Sequence, residues 1–370
     1  MNKKYLAALF GIMIIPFILG ACNNTSSSNQ EDSVTDDPLK IYTTLYPLED
    51  FVNKIGGDYV EVESIIPPGS DSHTYEPTSK EMVEIAKADA FIFNGLGMET
   101  YAEKISSALE DEDVMIVEAT VDIETIEHHH EHGHEEDEAH DHVDESESSD
   151  EDHDHNHESE SESNDEEHDH NHEDESESSN EDHEEESQDE HHEHEHGDLD
   201  PHIWLDPHRA VKLAENIKNA LVELNPEASD IFEQNYETLK ADLEELDHDF
   251  HSLVETKENP EMVVSHAAYG YWEESYGITQ IPISGISSSD EPSQKDLIEI
   301  IDLATEKEIK YIVFEQNVTP KVAEVIREEI HAEAISLHNL SVLTDEDIEN
   351  GEDYFSLMEK NLEVLDQVLR

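Results

Sequence analysis

One cysteine, 19 lysines and arginines together, and an aromatic content of 6% leave this chain of 370 residues short of the materials of several familiar chemistries. A single cysteine builds no disulfide framework, no four-cysteine zinc knuckle and no paired redox thiol. Nineteen basic side chains against 97 acidic ones give a formal net charge of −78. That balance rules out attraction to nucleic acid or to an anionic membrane face and makes cations the natural small partners. Absent too are a G-x-S-x-G elbow, a Walker loop and a cysteine–histidine catalytic pair. The poverty is greatest over residues 128–198, which contain no Lys, Arg, Phe, Trp, Tyr or Leu. Such a stretch has almost no apolar surface to offset the entropy of ordering, so it is expected to be disordered, at least without metal.

What that stretch does have is 18 of the chain's 26 histidines and 34 acidic residues, with the hexapeptide HDHNHE occurring at 153–158 and again at 168–173. Alternating imidazoles and carboxylates gather cations through many transient contacts, and dense negative charge raises the local cation concentration. The expected collectors are His128, His129, His130, His132, His134, His153, His155, His157, His168, His170, His172, His191, His192, His194 and His196. A flexible chelator is a weak, many-ion accessory rather than one tight site. HEHGH (130–134) and HEHEH (192–196) satisfy H-E-x-x-H, but neither has the apolar helical face that would aim both imidazoles at one metal, so peptidase chemistry is rejected.

The amino terminus reads as a leader. Lys3 and Lys4 precede an apolar run over 5–19, broken by Gly11 and Pro16, too short for a comfortable membrane span and fitted to a signal peptide of residues 1–21. The tetrapeptide LGAC ending at Cys22 resembles the bacterial lipobox, which implies cleavage before Cys22 and a diacylglycerol on its sulfur. Residues 22–38 then serve as the lipidated start and a polar tether.

Either side of the histidine-rich segment, strand-like and helix-periodic stretches alternate. Apolar runs lie at 39–47, 59–68, 88–95 and 113–120, then at 261–269, 279–286, 309–316 and 333–340. Helical patterns are expected at 48–55, 79–87, 98–109, 207–224, 293–308, 320–329 and 352–369, with one long polar amphipathic helix at 226–254. The economical reading is α/β: two (β/α)4 lobes joined by one long helix, with the acidic insert in the first. The expected division is 39–225 for the first lobe, insert 128–198 included, 226–256 for the linking helix and 257–370 for the second lobe. Ligands of open α/β sheets collect at the carboxyl ends of strands, and His73, His202 and His266 lie in such places. Their wide spacing matches no local ligand pattern, so spacing alone does not join them. His208 and His248 fall on helices as surface residues, and Met82 and Ile85 as core.

The segments PPGSDSHTYEPTSKEMVEIAKADAFIFNGLGMET, DPHIWLDP, VVSHAAYGYW, ISSSDEPSQKDL and VFEQNVTPKVAEVI, in that order, resemble the signature segments of the zinc-binding solute-binding proteins of ABC importers. The likeness runs from about Leu39 to the carboxyl terminus, apart from the insert. It implies a metal held in a cleft between two lobes and delivered to a permease and its ATPase subunit, with no catalysis. It places three histidine ligands on His73, His202 and His266. Relatives commonly add a carboxylate where this chain reads Ser341, so the fourth position falls to water, Glu315 or Asp345. Glu76 and Asp206 are expected to orient ligand imidazoles. Three imidazoles and one oxygen suit Zn²⁺, whereas manganese prefers more oxygen. The resemblance thus implies a lipid-anchored, monomeric zinc receptor on the extracytoplasmic side, a Gram-positive surface being favoured over a periplasm. Alternatives are a manganese receptor of the same family and a surface lipoprotein for zinc storage or adhesion.

Overall fold

In a computed structural model, residues 37–109, 112–127, 199–287, 289–290, 292–317 and 320–370 are described. The expected leader, Cys22 and the histidine-rich collectors lie outside them.

The first half carries β1 (Leu39–Thr43), α1 (Tyr46–Gly56), β2 (Val60–Ser64), α2 (Ser79–Ile85), β3 (Ala90–Phe93), α3 (Ala102–Ala108) and β4 (Met115–Glu118). After the insert come α4 (Pro207–Leu224) and α5 (Ser229–Val254). The second half carries β5 (Glu261–His266), α6 (Gly270–Tyr276), β6 (Thr279–Ser284), α7 (Gln294–Glu306), β7 (Tyr311–Glu315), α8 (Lys321–Glu329), β8 (Glu333–Leu337), α9 (Asp345–Asn350) and α10 (Tyr354–Val368). The strands form two four-stranded sheets, ordered β2-β1-β3-β4 and β6-β5-β7-β8, with every pairing parallel. These are the two α/β lobes that the alternating pattern predicts.

The long helix α5 follows from its apolar spacing. Phe232, Tyr236, Leu239, Leu243, Leu246, Phe250 and Val254 recur at three- and four-residue steps and are all buried. That single stripe packs on α1 and α4 and, toward its other end, on α6 and α10. Helix starts are written locally: Thr78 with Glu81, Ser293 with Asp296, and Thr344 with Asp347 each close a reciprocal cap. Asp206 caps α4, whose first residue is Pro207.

Each strand is shorter than its apolar run. The run over 261–269 stops being strand at His266, and α6 begins four residues later with the aromatic pair Tyr271 and Trp272 fully buried. Neither α6, which starts directly after an apolar run expected to be strand to 269, nor α9, which buries none of its residues, was among the expected helices. Met82 is half-buried against the core and Ile85 fully buried, while His208 and His248 are exposed, as expected.

In each sheet the strand order reverses beside the central pair, β1/β3 and β5/β7. A crevice opens there at the carboxyl ends of the strands. His266 ends β5 and Glu315 ends β7, so both stand at the second crevice.

Candidate metal centre

His202 is placed by its own tripeptide. Asp200 turns its carboxylate back to accept the His202 backbone N–H at 2.9 Å, and the same Oδ1 lies 2.8 Å from the ring Nδ1. Pro201, lacking an N–H, presents its carbonyl to Asn94 Nδ2 at 3.0 Å, tying the segment to the end of β3. Beyond the histidine, Ile203, Trp204 and Leu205 make one tight helical turn and are completely buried. Trp204 Nε1 donates to the Asn339 carbonyl at 2.8 Å, across to the other lobe.

His266 is set by the sheet. Its Nδ1 lies 3.0 Å from Glu315 Oε1 on the neighbouring strand, at ion-pair distance rather than in an aligned hydrogen bond. Both side chains are at most 3% exposed. His73 comes from the loop after β2, where its backbone N–H donates to Asp71 Oδ1 at 3.0 Å.

The three rings converge on their outer nitrogens. His202 Nε2 stands 3.2 Å from His73 Nε2 and 3.4 Å from His266 Nε2. Carboxylates behind His202 and His266 favour the Nδ1–H tautomer in each neutral ring, the one whose Nε2 lone pair is free to take a cation. Ligand nitrogens about 2.0–2.1 Å from a tetrahedral zinc sit about 3.3–3.4 Å apart, so the spacing fits one ion of that kind. Among the described residues this is the group of three ligand atoms that lie together, all within 4.8 Å.

Electrostatics keep the site ready. Burial, followed by the neighbouring His202 and His266, pushes His73 down to about 3, so its ring is neutral and its lone pair available. Burial alone would lower His266, but the Glu315 carboxylate, helped by Asp200 and Asp71, carries it above its ordinary value. Burial would raise Glu315, yet the facing histidines hold it below the usual carboxylate range. The Asp200 and Glu315 carboxylates thus stand behind the His202 and His266 rings, negative charge on the far side from the place a divalent cation would take.

The expected accessories fall differently. Glu315 stands behind His266, in an orienting position, and Asp345 is exposed at the first turn of α9. Ser341 is buried, with its hydroxyl committed to Asn339 Oδ1 at 2.9 Å. The expectation that Glu76 and Asp206 orient the imidazoles is corrected. Glu76 is exposed, and Asp206 caps α4 while holding Arg209 and Ser275. Asp200 and Glu315 are the carboxylates that lie against the His202 and His266 rings. The signal for Asp200 was present in D-P-H, where a carboxylate two residues before a histidine can fold back on it.

The chain matches the family model described as "Zinc-uptake complex component A periplasmic" over residues 41–368. It is 32% identical over 340 residues to the zinc-binding lipoprotein AdcA of Streptococcus pneumoniae strain R6, covering 92% of this chain and 57% of that protein. The chain therefore spans little more than half the length of this relative. To the high-affinity zinc uptake system protein ZnuA of Bacillus subtilis strain 168 it is 30% identical over 365 residues, covering 99% of this chain and 98% of that one. Among solved structures, the Zn(II)-bound ZnuA-like domain of S. pneumoniae AdcA superposes with a TM-score of 0.63 at 29% identity, over 90% of this chain and 99% of that one.

Proposed function

Because the chain belongs to this family of zinc-uptake components, we propose that it is an extracytoplasmic receptor that binds Zn²⁺ between its lobes and hands it to an ABC permease. The observation that carries this reading is the convergence of the half-buried His73 with the buried His202 and His266, their Nε2 atoms at zinc-like spacing. In it those three side chains are the ligands, water completes the tetrahedron, and Asp200 and Glu315 hold two of the rings. The chain acts by binding, and ATP is spent on another subunit. Docking on the permease draws the lobes apart and removes ligands from the ion.

The lobe boundaries at 39–225, 226–256 and 257–370, the Cys22 anchor, the extracytoplasmic face and the monomeric state belong to the same proposal. So does a collecting role for the histidines of the insert. No described helix is long and apolar enough to cross a membrane, and the proposed attachment is the lipid. Nitrogen-only side-chain ligation favours zinc over manganese, which takes more oxygen donors.

The test is zinc calorimetry on two soluble forms beginning after Cys22, one whole and one with residues 128–198 removed. One tight site in both, with weaker sites added only in the whole form, is the expected result. Loss of the tight site on removal would make the insert the true receptor and overturn the reading.

A further inference from the structure

Asp200 is held from the opposite lobe. The Tyr271 hydroxyl, on α6, donates to the Asp200 carbonyl at 2.7 Å. The ring of Tyr271 is itself covered by the Arg209 guanidinium, 4.8 Å from its centroid. Arg209 also donates to the Glu124 carbonyl, Asp206, Ser275 and Glu274, so it binds α4, α6 and the chain ahead of the insert into one block. One residue before Tyr271, Gly270 leaves the space that the Asp200 carboxylate uses. A Cβ placed at 270 would lie 2.5 Å from Asp200 Oδ2 and 2.9 Å from Ile126 Cδ1. The carboxylate is the far end of a side chain and has to give way. Its other oxygen is the one that holds His202 by both the backbone N–H and Nδ1.

We infer that Gly270 and Tyr271 are positioning residues for the metal centre, setting the angle of the His202 imidazole through Asp200. This rests on the receptor reading above. Neither residue touches the ion. Tyr271 fixes the main chain of Asp200, and the missing side chain at 270 lets its carboxylate lie flat against α6. Because α6 starts four residues after His266, the same short helix sets His202 and His266 relative to each other before any cation arrives. Such prearrangement of a ligand by its carboxylate is worth about 10- to 100-fold in metal affinity.

The experiment is zinc affinity of the full chain by chelator competition, which reads the tight site above the weak background of the insert. It compares the unaltered protein with Gly270→Ala, Tyr271→Phe, Asp200→Ala and the double variant Asp200→Ala/Gly270→Ala. Visible absorption of the cobalt-loaded forms reports ligand geometry alongside. We expect Gly270→Ala to weaken zinc binding about 10- to 100-fold and to shift the cobalt bands. In the Asp200→Ala background the same methyl should change affinity less than about twofold, since there is no carboxylate to displace. Tyr271→Phe, which loses a single hydroxyl, should weaken binding in the same direction and supplies the answer if Gly270→Ala does not fold. Unchanged affinity and cobalt spectrum in both Gly270→Ala and Tyr271→Phe, or losses that add in the double variant, would overturn the inference. An unaltered chain without a tight site would instead bring down the receptor reading itself.

Discussion

Two histidines that look alike in sequence differ in what stands behind them, and that difference sets how the site responds to protons. His266, backed by Glu315, holds its proton above its ordinary value, so near neutral pH a cation must expel a proton to use that ring. His73, pushed down to about 3, has none to give over the same interval. Zinc affinity should therefore fall as pH drops, by about tenfold per unit once below the raised value of His266, where one proton is displaced per ion. Chelator competition between pH 6 and 8 measures the slope. Glu315→Gln should move the onset of that fall to lower pH while weakening binding at pH 8, because it removes both the charge that holds the proton and the orienting partner. A fall that begins at the same pH in the variant would disconnect Glu315 from the effect. His202→Ala and His266→Ala should each abolish the tight site in calorimetry while leaving the far-ultraviolet spectrum unchanged.

At the scale of elements, the buried stripe of α5 and the connection after β8 join the two halves. Leu243, completely buried in the middle of α5, should cost about 2–5 kcal/mol on truncation to alanine, since the cavity left cannot fully close. Glu244 beside it is 63% exposed and bridges Lys240 only loosely, at 3.9 Å; its change to alanine should stay within about 0.5 kcal/mol. Urea unfolding of the two variants provides the comparison. The connection after β8 offers three carbonyls to the other lobe: Asn339 to Trp204 Nε1, Ser341 to the Tyr46 N–H and Leu343 to the Gly69 N–H. Trp204→Phe leaves one of these buried acceptors unpaired and should lower stability by about 1–3 kcal/mol. Helix periods as long as that of α5 are legible in sequence because packing one face needs many turns. Strand ends are not: whether chain remains in a ladder depends on a partner strand far away in sequence, which is why the run ending at Tyr269 was cut at His266. Asp200 and Glu315 went unassigned to their orienting positions for a related reason, since which carboxylate meets which ring is decided only when strands and turns are assembled.

Over the whole molecule, the three converging histidines are separated by 129 and 64 residues along the chain, and only the meeting of two sheets brings them within hydrogen-bonding distance. No local spacing rule finds such a set; the ordered family segments did. What composition does foretell is the field. With 97 acidic residues to 19 basic ones, the surface concentrates divalent cations, and association with zinc should slow markedly between about 10 mM and 300 mM salt as the screening length shrinks. Dissociation from a site as buried as this one should change far less. Stopped-flow measurement of both rates separates the two, and an association rate indifferent to salt would exclude steering by the field.

The antiparallel bridge between Glu127 and Leu199 has an evolutionary consequence. Since the insert departs and returns at adjoining points, replication slippage that copies or drops a unit such as HDHNHE alters its length without asking the surrounding fold to readjust. Such a change in length would leave Glu127 and Leu199, and with them the Asp200–His202 segment, where they are.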